Sequence, residues 1–150
     1  MITKKKRFNV HIILPILVGG IIYVCFRTKN LVLFDWLEFI GLDPIVDMIR
    51  LKSKQCSVYL PDQFIYSLPA GLWLYSFISF NILIRKNIND KMSLFWLLFP
   101  LIISLLSEFL QYIGLLKGTY SRTDVLYYLF FGILACNNII SRKNGTTKTQ

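Results

Sequence analysis

The chain has 150 residues, and 55% of them are hydrophobic. Its mean hydropathy is +0.54 and its formal net charge is +9. This length allows one domain, and this hydrophobicity excludes an ordinary soluble domain. The Lys and Arg residues stand in short clusters between apolar runs, as in the loops of a membrane protein, so nucleic acid is not an expected partner.

The first apolar run covers residues 10–26 and follows a basic cluster at 4–7. Its length is near the lower limit for crossing the hydrocarbon core of a bilayer. The segment resembles a signal peptide, but no pair of small residues at cleavage-site spacing follows it. We therefore expect it to be retained as the first membrane helix.

The interval from 27 to 62 is the longest hydrophilic stretch, and two short helices are predicted within it. Residues 31–40 combine Asp35 and Glu38 with a broad apolar side, which is typical of a short helix lying in the membrane interface. Gly41 is predicted to end this helix. Asp43 and Pro44 then provide an N-cap and a first-turn proline for a second helix that runs to about residue 52.

Three further apolar runs cover residues 64–84, 93–116 and 123–140, and a polar tail occupies 141–150. Pro69 is expected to kink the second span, and Gly71 to allow close packing there. The tail is predicted to be disordered. The predicted fold is all-α: residues 1–150 form a single integral membrane domain, a four-helix transmembrane bundle with short interfacial helices in the first extracytoplasmic loop.

The orientation follows from the distribution of basic residues. Most of the 17 Lys and Arg residues lie before the first span, in the turn at 85–91 and in the tail. The positive-inside rule therefore predicts a multi-pass protein with both termini in the cytoplasm.

The three cysteines are Cys25, Cys56 and Cys136, an odd number without metal-ligand spacing. Cys25 and Cys56 fall on the same predicted side and are able to pair, but three free thiols in apolar or interfacial surroundings is the preferred interpretation. The sequence contains no nucleophile–histidine pair, metal cluster or phosphate-binding glycine loop, so no catalytic residue, metal or cofactor is predicted.

A polar stripe marks the third span. At helical spacing, Ser104, Ser107, Glu108 and Gln111 share one face, which should point into the bundle because lipid cannot satisfy it. With the span ending at residue 116, Glu108 is expected to lie ~12 Å below its outer end. Two interpretations remain open for this carboxylate, namely a functional group, which is preferred, and an interhelical hydrogen-bond clamp with Gln111.

The link to the fourth span adds two cations and a second carboxylate. Arg122 is the nearest long cation to Glu108 in the predicted topology, and Lys117 is the alternative. Ser121 and Asp124 have the spacing of a capping box, so a structural and a functional role for Asp124 are equally supported. Glu108, Gln111, Lys117, Arg122 and Asp124 are the candidate ligand-binding residues.

The order of these residues also resembles a known family. Glu108-x-x-Gln111, a short basic link, and Asp124 opening a helix with Gly132 about two turns later are similar to the VanZ-like membrane proteins. These are small bacterial proteins, typically with four spans, whose founding member is associated with low-level resistance to the lipoglycopeptide teicoplanin. The resemblance implies a location in the bacterial inner membrane and a role in the cell envelope.

The expected function is therefore that of a VanZ-like protein with a polar site at the outer leaflet. Its expected partner is a membrane lipid or a lipid-linked envelope precursor, which Lys117 and Arg122 would contact through anionic oxygens. The alternative is a non-catalytic accessory or structural subunit of a membrane complex, with a protein partner or a second copy of the chain. An intramembrane enzyme with Glu108 as general base has the least support, since no second catalytic group is evident.

Overall fold

The computed structural model describes residue 6 and residues 8–29, 32–57, 59–85 and 91–146. In this part of the chain there are six helices and no strand, which confirms the all-α fold. The helices are α1 (a π-helical start at Asn9–Ile13 that continues as Leu14–Phe26), α2 (Val32–Phe39), α3 (Asp43–Ser57), α4 (Asp62–Ile84), α5 (Lys91–Tyr112) and α6 (Arg122–Thr146).

Three helices of the described residues are long and apolar enough to cross a membrane, namely α1, α4 and α5. The predicted fourth span at 123–140 falls within α6, but the side chains beyond residue 137 lie outside the described part. The four-span bundle therefore stays a prediction. The predictions for four other parts of the chain also fall outside the described residues. These parts are most of the basic cluster at 4–7, the turn at 86–90, the end of the tail at 147–150 and the side chain of Cys56.

Helix α4 is the centre of the bundle, packing most extensively against α6 and then against α1. The close packing predicted at Gly71 is confirmed. A Cβ added to this glycine would lie only 2.5 Å from Cδ2 of the Phe131 ring in α6. Pro69 lies inside α4 and is buried. The core around these two helices consists of Leu74, Tyr75, Ile78, Ile82, Leu97, Phe131 and Ala135.

Helix α5 lies at the periphery and contacts α4 and α6. Leu94, Phe95, Ile103 and Leu106 on its outer side are about half exposed. An apolar surface of this kind is compatible with contact to lipid. Glu108, in contrast, is buried with 4% of its surface exposed, so the predicted inward direction of the polar stripe is confirmed at this residue.

Two helices end in the Schellman arrangement, in which a glycine with positive φ closes the last turn. Gly41 (φ 76°) ends α2 as predicted, and the N–H of Leu42 donates to Leu37 O at 2.9 Å. Gly114 (φ 76°) ends α5 in the same way, with Leu115 N donating to Leu110 O at 2.9 Å. The prediction that the third helix continues to residue 116 was therefore wrong.

The two short helices are attached to the end of α1. Arg50 of α3 donates from Nη1 to Val24 O and from Nη2 to Arg27 O, both at 2.7 Å, and so satisfies carbonyls that the end of α1 leaves unpaired. Lys29 is paired with Asp47 and with Asp43 Oδ1 at 2.9 Å. Hydrogen bonds to these two carboxylates raise the pKa of Lys29.

Helix α6 is longer than the predicted span. It continues to Thr146, so residues 141–146, which were predicted to belong to a disordered tail, are helical. Gly132 packs against the Leu101 side chain of α5, where an added Cβ would lie 3.3 Å from Cδ1. The absence of a side chain at Gly132 therefore lets α5 and α6 approach closely.

Candidate functional site

A polar cleft lies at one end of the bundle, where α1 and α5 finish and where α4 and α6 begin. Its volume is about 610 Å³. The described residues that line it are Arg27, Asp62, Gln63, Tyr66, Ser67, Ala70, Glu108, Gln111, Gly118, Thr119, Ser121, Thr123, Asp124 and Tyr128. Chain segments distant in sequence therefore converge on a single cleft, and most of the side chains that they contribute are polar.

Glu108 forms one wall of the cleft and is tied to the link that follows α5. Its Oε2 accepts a hydrogen bond from the backbone N–H of Ser121 at 3.1 Å. Because α5 ends at Tyr112, Glu108 lies one turn, ~6 Å, from the end of its helix. The expected depth of ~12 Å was too large, since it assumed that the helix continued beyond Gly114.

Ser121 caps α6 as predicted, but the capping box is completed by a different residue. Ser121 Oγ accepts the N–H of Asp124 at 3.3 Å. In a capping box the carboxylate of Asp124 would in turn accept the N–H of Ser121. Glu108 occupies that position instead, and Oδ1 of Asp124 is buried without a hydrogen-bond partner. The carboxylate of Asp124 therefore has no capping role, and Asp124 lines the cleft.

A chain of hydroxyl groups fixes the start of α6 against α4. Thr123 Oγ1 lies 2.7 Å from Ser121 Oγ and 3.0 Å from Ser67 Oγ. Ser67 is almost fully buried, so this contact is shielded from water. The cleft wall that carries Asp124 is thus held by side chains from two helices.

The cation of the cleft is Arg27, which was not among the predicted site residues. Its guanidinium carbon lies 4.9 Å from the centre of the Tyr66 ring and 5.6 Å from that of Tyr23, within the range of cation–π interactions. Nη2 donates to Tyr66 O at 3.4 Å, whereas Nε is buried without a hydrogen-bond partner. Its place in the sequence could have indicated this role, because Arg27 is the first residue after the first apolar run.

The five predicted site residues separate into two groups. Glu108, Gln111 and Asp124 line the cleft together, and the Gln111 amide packs so closely on Gly118 that an added Cβ would lie 2.8 Å from its Nε2. Lys117 and Arg122 are exposed and are not among the lining residues. The short helices α2 and α3 also contribute no described residue to the cleft.

The ionisable residues that line the cleft carry a net negative formal charge. Arg27 shares the lining of the cleft with three carboxylates, those of Asp62, Glu108 and Asp124. The described part of the chain has no group of three His, Cys, Asp or Glu side chains that could hold a metal ion. The arrangement is suited to binding a ligand that carries both an anionic group for the guanidinium and a hydrogen-bond donor or cation for the carboxylates.

Comparison with known proteins gives no relative, as no family model, curated protein or solved structure matches the chain.

Proposed function

We propose that this chain is a four-span protein of the bacterial inner membrane, VanZ-like in organisation, whose cleft binds the polar headgroup of an envelope lipid or of a lipid-linked precursor. Both termini would lie in the cytoplasm and the cleft would open at the outer leaflet. The apolar surfaces of α1, α4 and α5 support the membrane assignment. The exposed side chains of Leu126, Phe130 and Ile133 on α6 support a fourth span.

The observation that carries the binding proposal is a guanidinium and a carboxylate that line one cleft without pairing with each other. Arg27 and Asp124 both line the cavity, and no salt bridge among the described residues joins them. Each side chain also has one buried polar atom without a hydrogen-bond partner, so the protein does not fully satisfy either charged group. A headgroup that supplies an anionic acceptor to the guanidinium and a donor to the carboxylate would satisfy both.

Retention of lipid during purification tests this proposal. Wild-type protein extracted from bacterial membranes in a mild detergent should retain a phospholipid or lipid-linked intermediate that mass spectrometry detects. Asp124→Asn should retain at least about fivefold less, since the charge that faces the ligand is lost. Asp35→Asn, in the exposed helix α2, is the matched control and should retain the wild-type amount. Equal retention by the two variants would overturn the proposal.

The envelope role is tested by a growth assay. In a susceptible bacterial host, expression of the protein should protect selectively against teicoplanin and not against vancomycin, and Asp124→Asn should abolish the protection at matched membrane levels. If the wild-type protein gives no protection, the resistance role is contradicted. The lipid-binding proposal is decided separately, by the retention measurement.

The second candidate function is an accessory subunit of a membrane complex. The aromatic outer face of α5 favours it, because Phe95, Trp96 and Phe99 form mutual ring contacts at 5.5–5.7 Å and the first two are about half exposed. Aromatic residues are enriched at protein interfaces. In this role Glu108 serves only to clamp the α5–α6 link. A stoichiometric protein partner, or a second copy of the chain, that co-purifies in mild detergent and is lost in Trp96→Ala would favour it.

A further inference from the structure

A second cavity adjoins the cleft on the outside of the bundle, between α5 and α6. This groove has a volume of about 270 Å³ and is lined by Leu105, Glu108, Phe109, Tyr112, Tyr120 and Val125. Apart from Glu108 its walls are apolar or aromatic. Phe109 is 56% exposed and Tyr112 is 68% exposed, so the groove opens away from the core of the bundle.

Glu108 is the one described residue that lines both cavities. The polar cleft and the apolar groove therefore share a wall one turn from the end of α5. At the same end, the rings of Tyr112 and Tyr120 meet edge to face with centres 5.2 Å apart. Tyrosines with an apolar ring and a polar hydroxyl are characteristic of the headgroup level of a membrane.

We infer that the ligand is a whole amine-bearing phospholipid, with its headgroup in the cleft and an alkyl chain in the groove beside Glu108. This inference rests on the proposed function and adds the class of ligand and its direction of binding. The phosphate pairs with Arg27, and the ammonium group pairs with Asp124. Three carboxylates and one guanidinium line the cleft, and this balance of charge favours a headgroup with a cation over one that is only anionic. The apolar lining of the groove is the reason for inferring that the ligand carries an alkyl chain as well as a polar headgroup.

The experiment compares two phospholipids and one soluble headgroup by their effect on the Tm of the full chain in detergent. The probes are palmitoyl-oleoyl phosphatidylethanolamine, phosphatidylglycerol with the same chains, and phosphoethanolamine. Leu105→Trp fills the groove, and Leu94→Trp places the same side chain on the exposed face of α5 outside the groove. If Leu105→Trp does not fold, Val125→Trp fills the groove from α6.

We expect phosphatidylethanolamine at about 100 times its Kd to raise the Tm of the wild-type chain by about 5–10 °C. Phosphatidylglycerol should give less than half of that shift. The groove-filling variant should lose the response to phosphatidylethanolamine and keep the response to phosphoethanolamine, which has no chain. Leu94→Trp should keep both.

Two results would overturn the inference while the proposed function stands. One is an equal Tm shift with phosphatidylglycerol and phosphatidylethanolamine, which would show that the site does not recognise the amine. The other is an unchanged Tm shift with phosphatidylethanolamine in the groove-filling variant, which would show that the alkyl chain does not bind in the groove. A wild-type protein that responds to none of the three probes would overturn the inference, and the lipid-retention measurement would then decide whether the cleft binds a lipid-linked precursor instead.

Discussion

The backbone N–H of Ser121 donates a hydrogen bond to Glu108 Oε2 at 3.1 Å, across the short link between α5 and α6. This bond gives Glu108 the role that Asp124 would have in an ordinary capping box. It joins the end of one helix to the start of the next, and it leaves Asp124 Oδ1 without a hydrogen-bond partner. One carboxylate therefore stabilises the connection, while the other lines the cleft without a capping role.

Replacement of Glu108 should reduce the stability of the α5–α6 connection. Glu108→Ala leaves the N–H of Ser121 without its acceptor and should lower the free energy of unfolding by about 1–3 kcal/mol. Glu108→Gln keeps an oxygen acceptor and should lose less than half as much. Unfolding in a denaturing detergent measures both. Glu38→Ala, at an exposed position of α2, should change the free energy by less than about 0.5 kcal/mol. Equal losses for Glu108→Ala and Glu38→Ala would contradict the role of the hydrogen bond.

The packing of α4 on α6 should depend on the absence of a side chain at Gly71. An alanine there would place its Cβ 2.5 Å from the buried ring of Phe131, and we expect Gly71→Ala to destabilise the bundle by about 1–3 kcal/mol. Gly20 is the matched control, because no atom lies within 4 Å of an added Cβ at that helical position. Gly20→Ala should be neutral or stabilising by up to about 1 kcal/mol. The measurement is the Tm of the two variants in the same detergent. Equal decreases in Tm for Gly71→Ala and Gly20→Ala would refute the packing argument.

Attachment of α3 to α1 should require the guanidinium of Arg50. Its two nitrogens reach the carbonyls of Val24 and Arg27 at 2.7 Å, a fork that a lysine ammonium cannot reproduce. Arg50→Lys should therefore accelerate hydrogen exchange in α3 by at least about tenfold, which corresponds to ~1.4 kcal/mol. Lys52→Ala, at an exposed position of the same helix, should leave exchange unchanged. Wild-type exchange in Arg50→Lys would show that other contacts hold α3.

The proposed membrane topology predicts which positions a membrane-impermeant thiol reagent can reach. In a background of Cys25→Ser, Cys56→Ser and Cys136→Ala, Lys117→Cys in the α5–α6 link should be labelled in intact cells. Lys91→Cys at the start of α5 should be labelled only after the membrane is permeabilised, since the positive-inside rule puts this end in the cytoplasm. The reverse pattern would invert the topology and place the cleft at the inner leaflet.

Much of the helical architecture could be predicted from the sequence, because apolar runs and glycine signals are local. Gly41 was recognised as the end of α2 because Asp43 and Pro44, the start signal of the next helix, follow it closely. Gly114 has the same φ of 76° and the same pattern of hydrogen bonds, but Leu115 and Leu116 follow it and prolong the hydrophobic run. The apolar pattern therefore concealed a helix end, and with it the position of Glu108 close to the mouth of the cleft.

The composition of the site could be predicted only in part. Glu108, Gln111 and Asp124 belong to neighbouring helices, and their spacing indicated that they would meet. The partner cation depends instead on how the distant end of α1 packs against α4, which short-range spacing does not reveal. Proximity in sequence favoured Arg122, but this residue is the first of α6 and is exposed, whereas Arg27 reaches the cleft across the start of α4.

The most direct test of the central claim compares these two arginines. The measurement is the Kd of the full-length protein in detergent for palmitoyl-oleoyl phosphatidylethanolamine, with Arg27→Gln and Arg122→Gln as a matched pair. We predict that Arg27→Gln weakens binding at least about tenfold, a loss of ~1.4 kcal/mol, because the cleft loses its cation. Arg122→Gln should bind within about twofold of wild type. Equal affinities for the two variants, or a larger loss in Arg122→Gln, would contradict a headgroup site centred on Arg27 and Asp124.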